Sequence, residues 1–217
     1  MRTIADVIAK RGITEILHFT TNHGVLGMFA KRAILPRRTL PAEKYLEHVY
    51  KPNAEVRKDP AWTGHVSLSI SRVNTEFFGV SRVWHSDTDT WWAIVSLDPE
   101  ILSHENVVFV TTNNIYPARL RDTGAGALCA LFADQVLGYY GQPTKRKPDM
   151  PDAWTTDVQA EALYPGEIST QFVRRIYVLT HDHADLVASQ YDILRSRGHA
   201  SDPRSDLPID VRPDLFS

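Results

Sequence analysis

The chain has 217 residues, of which 43% are hydrophobic and 23% are charged, and its formal net charge is −2. This length and composition fit one packed domain over residues 1–217, and the near-neutral charge excludes a protein that binds nucleic acid as a polycation. Nucleic acid would therefore have to bind to local basic patches. The alternative is that these patches are only solvated surface. The patches are at residues 31–32 with 37–38, at 119 with 121, and at 145–147.

The cysteine content and the length of the apolar runs restrict the disulfides and the cellular location that can be expected. The single cysteine, Cys129, rules out an internal disulfide, and its apolar neighbours indicate a buried small side chain rather than a nucleophile. The N-terminus does not read as a signal peptide, and no apolar run reaches the roughly 20 residues of a membrane span. We therefore expect a cytoplasmic protein.

Helix caps and hydrophobic periodicity predict the elements of the N-terminal half. Thr3 can cap a helix that runs to residue 10 and ends at Gly12, and a strand over residues 13–19 follows. The next helix begins with Thr21 or Asn22 as its cap. That helix extends to about residue 32, and the elements after it are a strand over 33–35, a helix over 42–50, a strand over 66–71 in which apolar residues alternate with serines, a helix over 72–83 and a strand over 91–97.

The C-terminal half predicts a similar mixture. Its elements are a short helix over 99–102, a strand over 107–110, a helix over 124–137, a mobile loop over 138–152, strands over 159–164 and 173–179, a helix to residue 197 capped by Thr180 or Asp182, a loop over 198–207 and a strand over 209–212. Because strands and helices do not alternate strictly, this order favours an α+β fold over a doubly wound sheet.

The segment His181-Asp182-His183-Ala184-Asp185 has the residue types of a metal site. It resembles the H-x-H-x-D-H ligand run of metallo-β-lactamase-like hydrolases. However, a leucine stands where that run needs its last histidine, and only His199 lies downstream. A helix start with Asp182 as its cap explains the same residues, so we predict no metal. Phosphate-binding loops and dinucleotide fingerprints are also missing from the sequence.

Gln159 and Glu161 lie two residues apart on the predicted strand over 159–164, so their side chains are expected on one face. A carboxylate at such an edge can stabilise a developing cation while an amide holds the group that attacks. This pattern also occurs by chance, and it gains meaning from residues 17–20, which contain His18, and residues 109–114. Read separately, His18 could equally be a core histidine and the asparagines at 113 and 114 a plain turn.

Together, these three segments resemble the motif blocks of the DarT toxins, which are ADP-ribosyltransferases acting on single-stranded DNA. Residues 16–26 are similar to a first strand ending in histidine-x-threonine and followed by a helix. Residues 108–114 are similar to an apolar strand ending in F-x-x-T-D/N, and residues 159–161 to the Q-A-E that precedes two paired strands. The resemblance covers nearly the whole chain. It implies an ADP-ribosyltransferase-like fold, with central split or mixed β-sheets flanked by helices.

The resemblance also implies a role for particular residues. Glu161 would be the catalytic carboxylate at the ribose of NAD, the ADP-ribose donor, in a transition state resembling an oxocarbenium ion. DarT toxins place arginines between the first two blocks, and here Arg57 is the favoured catalytic cation, with Lys51 and Arg72 as alternatives. The implied cofactor-binding residues are His18, Thr20, Asn22 and Arg72, and the implied DNA-binding residues are Gln159, Asn113, Asn114, Lys145, Arg146 and Lys147.

Target and partners follow from the same resemblance. The expected target is a thymidine or guanosine of single-stranded DNA, since Asn113 replaces the usual acidic residue. Bases would stack on an aromatic residue such as Tyr116 or Trp154. A DarG-like macrodomain antitoxin is the expected partner. The alternatives are a catalytically inactive relative that binds nucleic acid or a partner, a metallo-hydrolase using His181 and His183, and a transferase acting on RNA.

Overall fold

The computed structural model describes residues 3–39, 60–74, 79, 90–117, 119–196 and 207–216. The helix predicted over 42–50, most of the loop predicted over 198–207, and both Lys51 and Arg57 lie outside these ranges. The helix predicted over 72–83 lies mostly outside them too. Its described start is not helical, because residues 71–74 form a bend after a strand in which Ser71 has a positive φ of 60°.

The described part of the chain mixes α-helices and β-strands along its whole length. The helices are α1 (Ile4–Arg11), α2 (Asn22–Lys31), α3 (Gly124–Ala130) and α4 (His181–Ser196). The strands are β1 (Ile16–Thr21), β2 (Ala33–Ile34), β3 (His65–Ile70), β4 (Trp92–Leu97), β5 (Val108–Val110), β6 (Arg121–Thr123), β7 (Gln135–Leu137), β8 (Pro143–Lys145), β9 (Glu161–Pro165), β10 (Ile168–Ser169), β11 (Val173–Val178) and β12 (Ile209–Val211).

The helix starts predicted from capping residues are confirmed. The Thr3 hydroxyl accepts the Asp6 N–H at 3.1 Å, and the Asp6 carboxylate accepts the Thr3 N–H at 2.8 Å, which completes a capping box at α1. Thr21 caps α2, and the Thr180 hydroxyl accepts the His183 N–H at 3.2 Å at the start of α4. These caps lie within four residues of the groups they satisfy, which is why the sequence reveals them.

Eight of the described strands form one mixed sheet in the order β12-β11-β4-β1-β3-β9-β5-β6. The β11–β12 pair is parallel and the other pairs are antiparallel. Two smaller ladders join β2 to β10 and β7 to β8. The α+β fold with mixed sheets is therefore confirmed.

The sheet divides between its two central strands. Strand β1 pairs with β4 over its full length, from Ile16 to Thr21. Its ladder with β3, by contrast, consists of Ile16 opposite Ile70 and Leu17 opposite Ser69. The N-terminal part of β3 pairs with β9 instead, from His65 opposite Pro165 to Leu68 opposite Ala162. Beyond Leu17 the ladder between β1 and β3 ends, as expected for a split sheet, and this interruption between the two strands is called the cleft below.

The helices cover one face of the sheet, where most of the buried apolar side chains collect. The larger cluster includes Ile16, Leu68, Val95 and Phe109, each with little or no exposed surface, together with residues of α1, α2, α3 and α4. A smaller cluster on the other face is built around Leu17, Trp92, Ile94, Tyr177 and Phe216. Cys129 is partly buried against the larger cluster. None of the described helices has the length and apolarity needed to cross a membrane.

The helix predicted over 124–137 is wrong beyond Ala130, and the stretch after it is not an unstructured loop. Residues 135–137 form β7, which pairs with β8 inside the segment predicted as a loop over 138–152. The carbonyls that follow α3 are taken by distant groups. Leu131 O accepts the Thr156 N–H at 2.9 Å, Ala133 O accepts the Thr156 hydroxyl at 2.6 Å, and Asp134 O accepts the Arg146 N–H at 2.8 Å. The carbonyls of residues 128–130, at the end of the helix, accept the N–H groups of residues 131–133 in one last tight turn. The chain then leaves the helix, and the carbonyls that follow bond to partners distant in sequence.

Candidate active site

Glu161 is the first residue of β9, where it pairs with Val110 of β5 at the rim of the cleft. Its Oε1 atom accepts the Asn114 backbone N–H at 2.7 Å, and its Oε2 atom accepts the Ser67 hydroxyl. Hydrogen bonds to a carboxylate are stronger than those between neutral groups. The two contacts, one from the loop after β5 and one from β3, therefore fix the orientation of the carboxylate.

His18 lies where β1 leaves β3, and its ring spans the start of the cleft. Its Nδ1 atom lies 3.0 Å from the Ser67 carbonyl oxygen. A carbonyl can only accept, so Nδ1 carries the proton of this hydrogen bond and Nε2 is an acceptor in the neutral ring. Ser67 consequently joins both sides of the site, because its carbonyl holds His18 and its hydroxyl holds Glu161.

Thr20 and Asn22 lie beyond His18, at the end of β1 and the start of α2. The Asn22 N–H donates to the Trp91 carbonyl at 2.9 Å, which ties the start of the helix to the residue just before β4. The Thr20 side chain rests directly on Gly24, since a Cβ atom built there would lie 2.0 Å from the Thr20 Oγ1 atom. The position of the Thr20 hydroxyl therefore depends on glycine at 24.

Gln159 is not on the strand with Glu161, so the predicted strand start at 159 is wrong by two residues. It lies in a turn built by the buried Asp157. Asp157 Oδ1 accepts the Gln159 N–H at 2.8 Å, and Asp157 Oδ2 accepts the Thr112 hydroxyl at 2.7 Å. An aspartate that bonds the backbone two residues onward favours a turn over a strand. The turn still brings Gln159 close to the rim where Glu161 begins β9.

The loop after β5 is the third part of the site, because its two asparagines contact the glutamine and the glutamate of the Q-A-E motif. The Asn113 amide donates to Gln159 Oε1 at 3.3 Å, and the Tyr116 hydroxyl donates to the same oxygen at 2.9 Å. Asn114 is buried, and its Oδ1 atom accepts Nη1 of Arg121 at 2.8 Å. The loop is therefore more than a plain turn, since it supplies the N–H that holds Glu161.

Arg121 packs over the ring of Trp62 with 4.3 Å between the guanidinium carbon and the ring centroid. Burial, followed by the charge of Arg119, lowers the pKa of its guanidinium. An arginine keeps its proton at any ordinary pH, so Arg121 is a cation. It is linked to the carboxylate of Glu161 through Asn114, which bonds to both residues.

Two of the predicted arginines have structural contacts. Arg72 donates through Nη2 to the Thr155 carbonyl at 2.9 Å and lies over the ring of Trp154 at 4.9 Å. Arg146 donates to the carbonyls of Trp154 and Pro151, each at 2.7 Å, and so closes its own loop. The flanking Lys145 and Lys147 are exposed. The structure thus brings together residues 18, 67, 113, 114, 159 and 161. It sets Lys145 on β8 and Lys147 just after it, and neither has a described contact with those six residues.

The histidine-rich segment has a structural explanation. The ring of His183 stacks on Trp91, with centroids 4.2 Å apart and planes 7° from parallel, and burial lowers its pKa. Within the described ranges, no group of three His, Cys, Asp or Glu residues could hold a metal ion. His199 lies outside those ranges.

Sequence reasoning missed Ser67, Asp157 and the tyrosines at 139 and 140. The serine alternation of β3 indicated only a half-polar strand, and nothing local distinguishes Ser67 from the serines at 69 and 71. Its role follows from the register, which places it between His18 and Glu161. Tyr139 was missed because its segment was predicted as a loop, although its ring lies 5.0 Å from that of Tyr116.

Comparison with known proteins identifies the family and similar folds. A family model described as DarT, ssDNA thymidine ADP-ribosyltransferase, matches residues 17–216. The structure of Thermus sp. 2.9 DarT in complex with NAD+ superposes with a TM-score of 0.62 at 13% identity, covering 94% of this chain and 98% of that one. The complex of the same protein with ADP-ribosylated ssDNA gives a TM-score of 0.61 at 13% identity, over 95% and 97% of the two chains. Thermosipho africanus DarTG in complex with ADP-ribose gives 0.60 at 13% identity, over 94% of this chain and 51% of that one. No match was found among curated proteins.

Proposed function

Because the chain belongs to the DarT family of single-stranded-DNA thymidine ADP-ribosyltransferases, we propose that it transfers ADP-ribose from NAD to a thymidine at the cleft between β1 and β3. The observation that supports this most directly is the carboxylate of Glu161. It belongs to the Q-A-E motif, lies at the rim of the cleft and is held through both oxygens by Ser67 and Asn114. The target base is thymidine rather than guanosine, in line with the family description.

The residues along β1 and α2 fit a dinucleotide. His18 has a ring nitrogen that can accept a ribose hydroxyl or an amide N–H, since its Nδ1 is already engaged with Ser67. Thr20 adds a hydroxyl, and the first turn of α2 at Asn22 suits the pyrophosphate, because helix N-termini favour anions.

Arg57 is the proposed cation for the pyrophosphate and the catalytic step. Arg72 is less suited, since its guanidinium contacts Thr155 and Trp154.

NAD supplies an ADP-ribosyl group, whose bond to nicotinamide breaks with the electron pair leaving on nicotinamide while a ring nitrogen or oxygen of the base forms the new bond. Positive charge develops at the ribose carbon between the two. The carboxylate of Glu161 stabilises that charge and needs no rearrangement, because Ser67 and Asn114 already fix it. In this proposal the same carboxylate also accepts the proton that the base loses.

Gln159 is the proposed contact for the target base. Tyr116 and Asn113 both donate to its Oε1 atom, so the amide is oriented before DNA arrives. Asn114 supports the same edge through its contact with Glu161. The phosphate contacts are assigned to Lys145 and Lys147, with Arg146 holding their loop in shape.

A macrodomain antitoxin of the DarG kind is the proposed partner. It is supported by family membership and by the similarity to the protein named DarTG, of which this chain covers 51%. A cytoplasmic location belongs to the same proposal, because it would give the protein access to both NAD and DNA.

We expect the purified protein to modify a single-stranded oligonucleotide containing one thymidine and to leave the matching duplex almost unmodified. A base in a duplex must first be unpaired and unstacked, which costs a few kcal/mol. Incubation with NAD followed by mass spectrometry measures the added ADP-ribose. The control is the same oligonucleotide with cytidine in place of thymidine, which should remain unmodified. Equal modification of duplex and single strand, or modification of the cytidine control, would contradict the proposal.

Gly24→Ala should weaken NAD binding by about tenfold, because the new methyl group displaces the Thr20 hydroxyl or forces a backbone shift of the kind that costs about 1–3 kcal/mol. Calorimetric titration with NAD measures the change. Gly126→Ala in α3 is the matched control, since a Cβ atom there meets nothing within 4 Å. The control should keep its NAD affinity and gain stability from better helix propensity. Unchanged affinity in Gly24→Ala would show that Thr20 does not contact NAD.

A further inference from the structure

Two exposed tyrosines lie next to the site on the turn that joins β7 to β8. Tyr139 is 54% exposed and Tyr140 is 80% exposed. Their ring centroids are 4.0 Å apart with an angle of 51° between the planes, and the ring of Tyr139 lies 5.0 Å from that of Tyr116. The hydroxyl of Tyr116 in turn holds Gln159. The three rings therefore form a continuous aromatic row that runs from the proposed base-binding amide out to solvent.

The turn that carries these rings is fixed rather than loose. The Gly138 N–H donates to Gln142 O at 2.9 Å, and the Gly141 N–H donates to Gly138 O at 3.0 Å. A Cβ atom on Gly138 would lie 3.0 Å from Asp157 Oδ2, so the turn packs against the carboxylate that also shapes the Gln159 turn. Tyr140 has φ 52° and ψ 26°, a left-handed conformation that few non-glycine residues adopt. Such a conformation, found on an exposed aromatic residue beside an active site, points to a functional use.

We propose that Tyr139 and Tyr140 are a stacking platform for a base next to the target thymidine in single-stranded DNA. This rests on the proposed function, and it assigns the recognition of the flanking nucleotide to this turn. Every base has a π-face, so stacking on an aromatic side chain holds a strand without reading its sequence. Bases in a duplex are stacked on each other, so the platform also favours single strands.

The charges around the two tyrosines, and the poorer fit of Trp154, support the same assignment. A tyrosine is neutral at physiological pH, and a hydrogen bond with Tyr140, followed by smaller effects, raises the pKa of the Tyr139 hydroxyl further above that range. Lys145 lies on β8, the strand that leaves this turn, and Lys147 lies just after it, so cations accompany the rings. Trp154 is less suited, since it is 38% exposed and Arg72 covers one face of its ring.

The test combines tyrosine variants with abasic positions. Single-stranded oligonucleotides with one thymidine carry an abasic residue at each neighbouring position in turn, and fluorescence anisotropy without NAD measures affinity. For the wild type, one neighbouring abasic position should weaken binding by about tenfold, the typical effect of one lost stack. The double variant Tyr139→Ala/Tyr140→Ala should bind the intact oligonucleotide about tenfold more weakly and should lose sensitivity to that abasic position. Tyr139→Phe/Tyr140→Phe keeps the rings and should retain both affinity and sensitivity.

Three further variants make the result specific. Tyr140→Ala alone removes the more exposed ring and should show a smaller loss in the same direction, even if the double variant folds poorly. Ile193→Ala on α4, where the side chain is 51% exposed, should change nothing. Lys145→Ala/Lys147→Ala should weaken binding mainly at low salt and flatten the salt dependence, yet keep the abasic sensitivity.

The outcomes separate this inference from the proposed function. Unchanged affinity in the tyrosine-to-alanine variants would overturn the platform, and so would an affinity loss with full abasic sensitivity. Absence of ADP-ribose transfer by the wild type to any oligonucleotide would overturn the proposed function instead. The anisotropy measurement would still decide whether the two rings hold a base.

Discussion

Glu161→Gln is expected to reduce the rate of ADP-ribose transfer by about 100-fold or more while the protein remains folded. Glutamine has the same shape and its oxygen can still accept the Asn114 N–H, so the loss reports the missing negative charge. Removal of one preorganised electrostatic contact in an active site typically costs 10²–10³ in rate. Since the charge matters most when the ribose is cationic, the rate should fall far more than the affinity for NAD.

Single-turnover transfer to a thymidine-containing single strand measures this rate, and thermal unfolding checks the fold. Glu167→Gln is the matched control, because it makes the same change at an exposed carboxylate two residues after the end of β9. It should transfer at the wild-type rate. A Glu161→Gln variant with near wild-type transfer would show that another group stabilises the charge.

His18→Ala should weaken NAD binding by about tenfold, which corresponds to ~1.4 kcal/mol for the hydrogen bonds of one ring. The proposed role gives the ring two separable contacts, since Nδ1 bonds to the Ser67 carbonyl and Nε2, on the other side of the ring, is the proposed contact for NAD. His18→Asn separates them, because its side-chain amide can still donate from the position of Nδ1 but does not extend to the position of Nε2.

Calorimetric titration with NAD compares the two variants. If His18 binds NAD directly, both should be weakened alike. If the ring only braces Ser67, asparagine should restore the affinity that alanine loses. Wild-type NAD affinity in a folded alanine variant would exclude His18 from the binding site.

The sequence by itself determined the features that depend on near neighbours. Thr3 and Gly12 delimit α1, and Thr21 starts α2, because a cap bonds groups within a few residues of itself. The alternation along β3 and the apolar run of β4 are equally local. The three motif segments, read in order, identified the family and with it the fold, and they led to the proposal for the carboxylate of Glu161.

Only the tertiary structure decided how these parts meet. Ser67 became part of the site through strand register, which sets it between residues 49 positions before it and 94 positions after it in the chain. Asp157 turned a predicted strand into a bend because Thr112, on another loop, completes its hydrogen bonds. After helix α3 ends at Ala130, the carbonyls of Leu131, Ala133 and Asp134 bond to residues 156 and 146 instead of continuing the helix. Each of these depends on polar groups whose partners are distant in sequence, and no local pattern of residues specifies which distant group will satisfy a buried donor or acceptor.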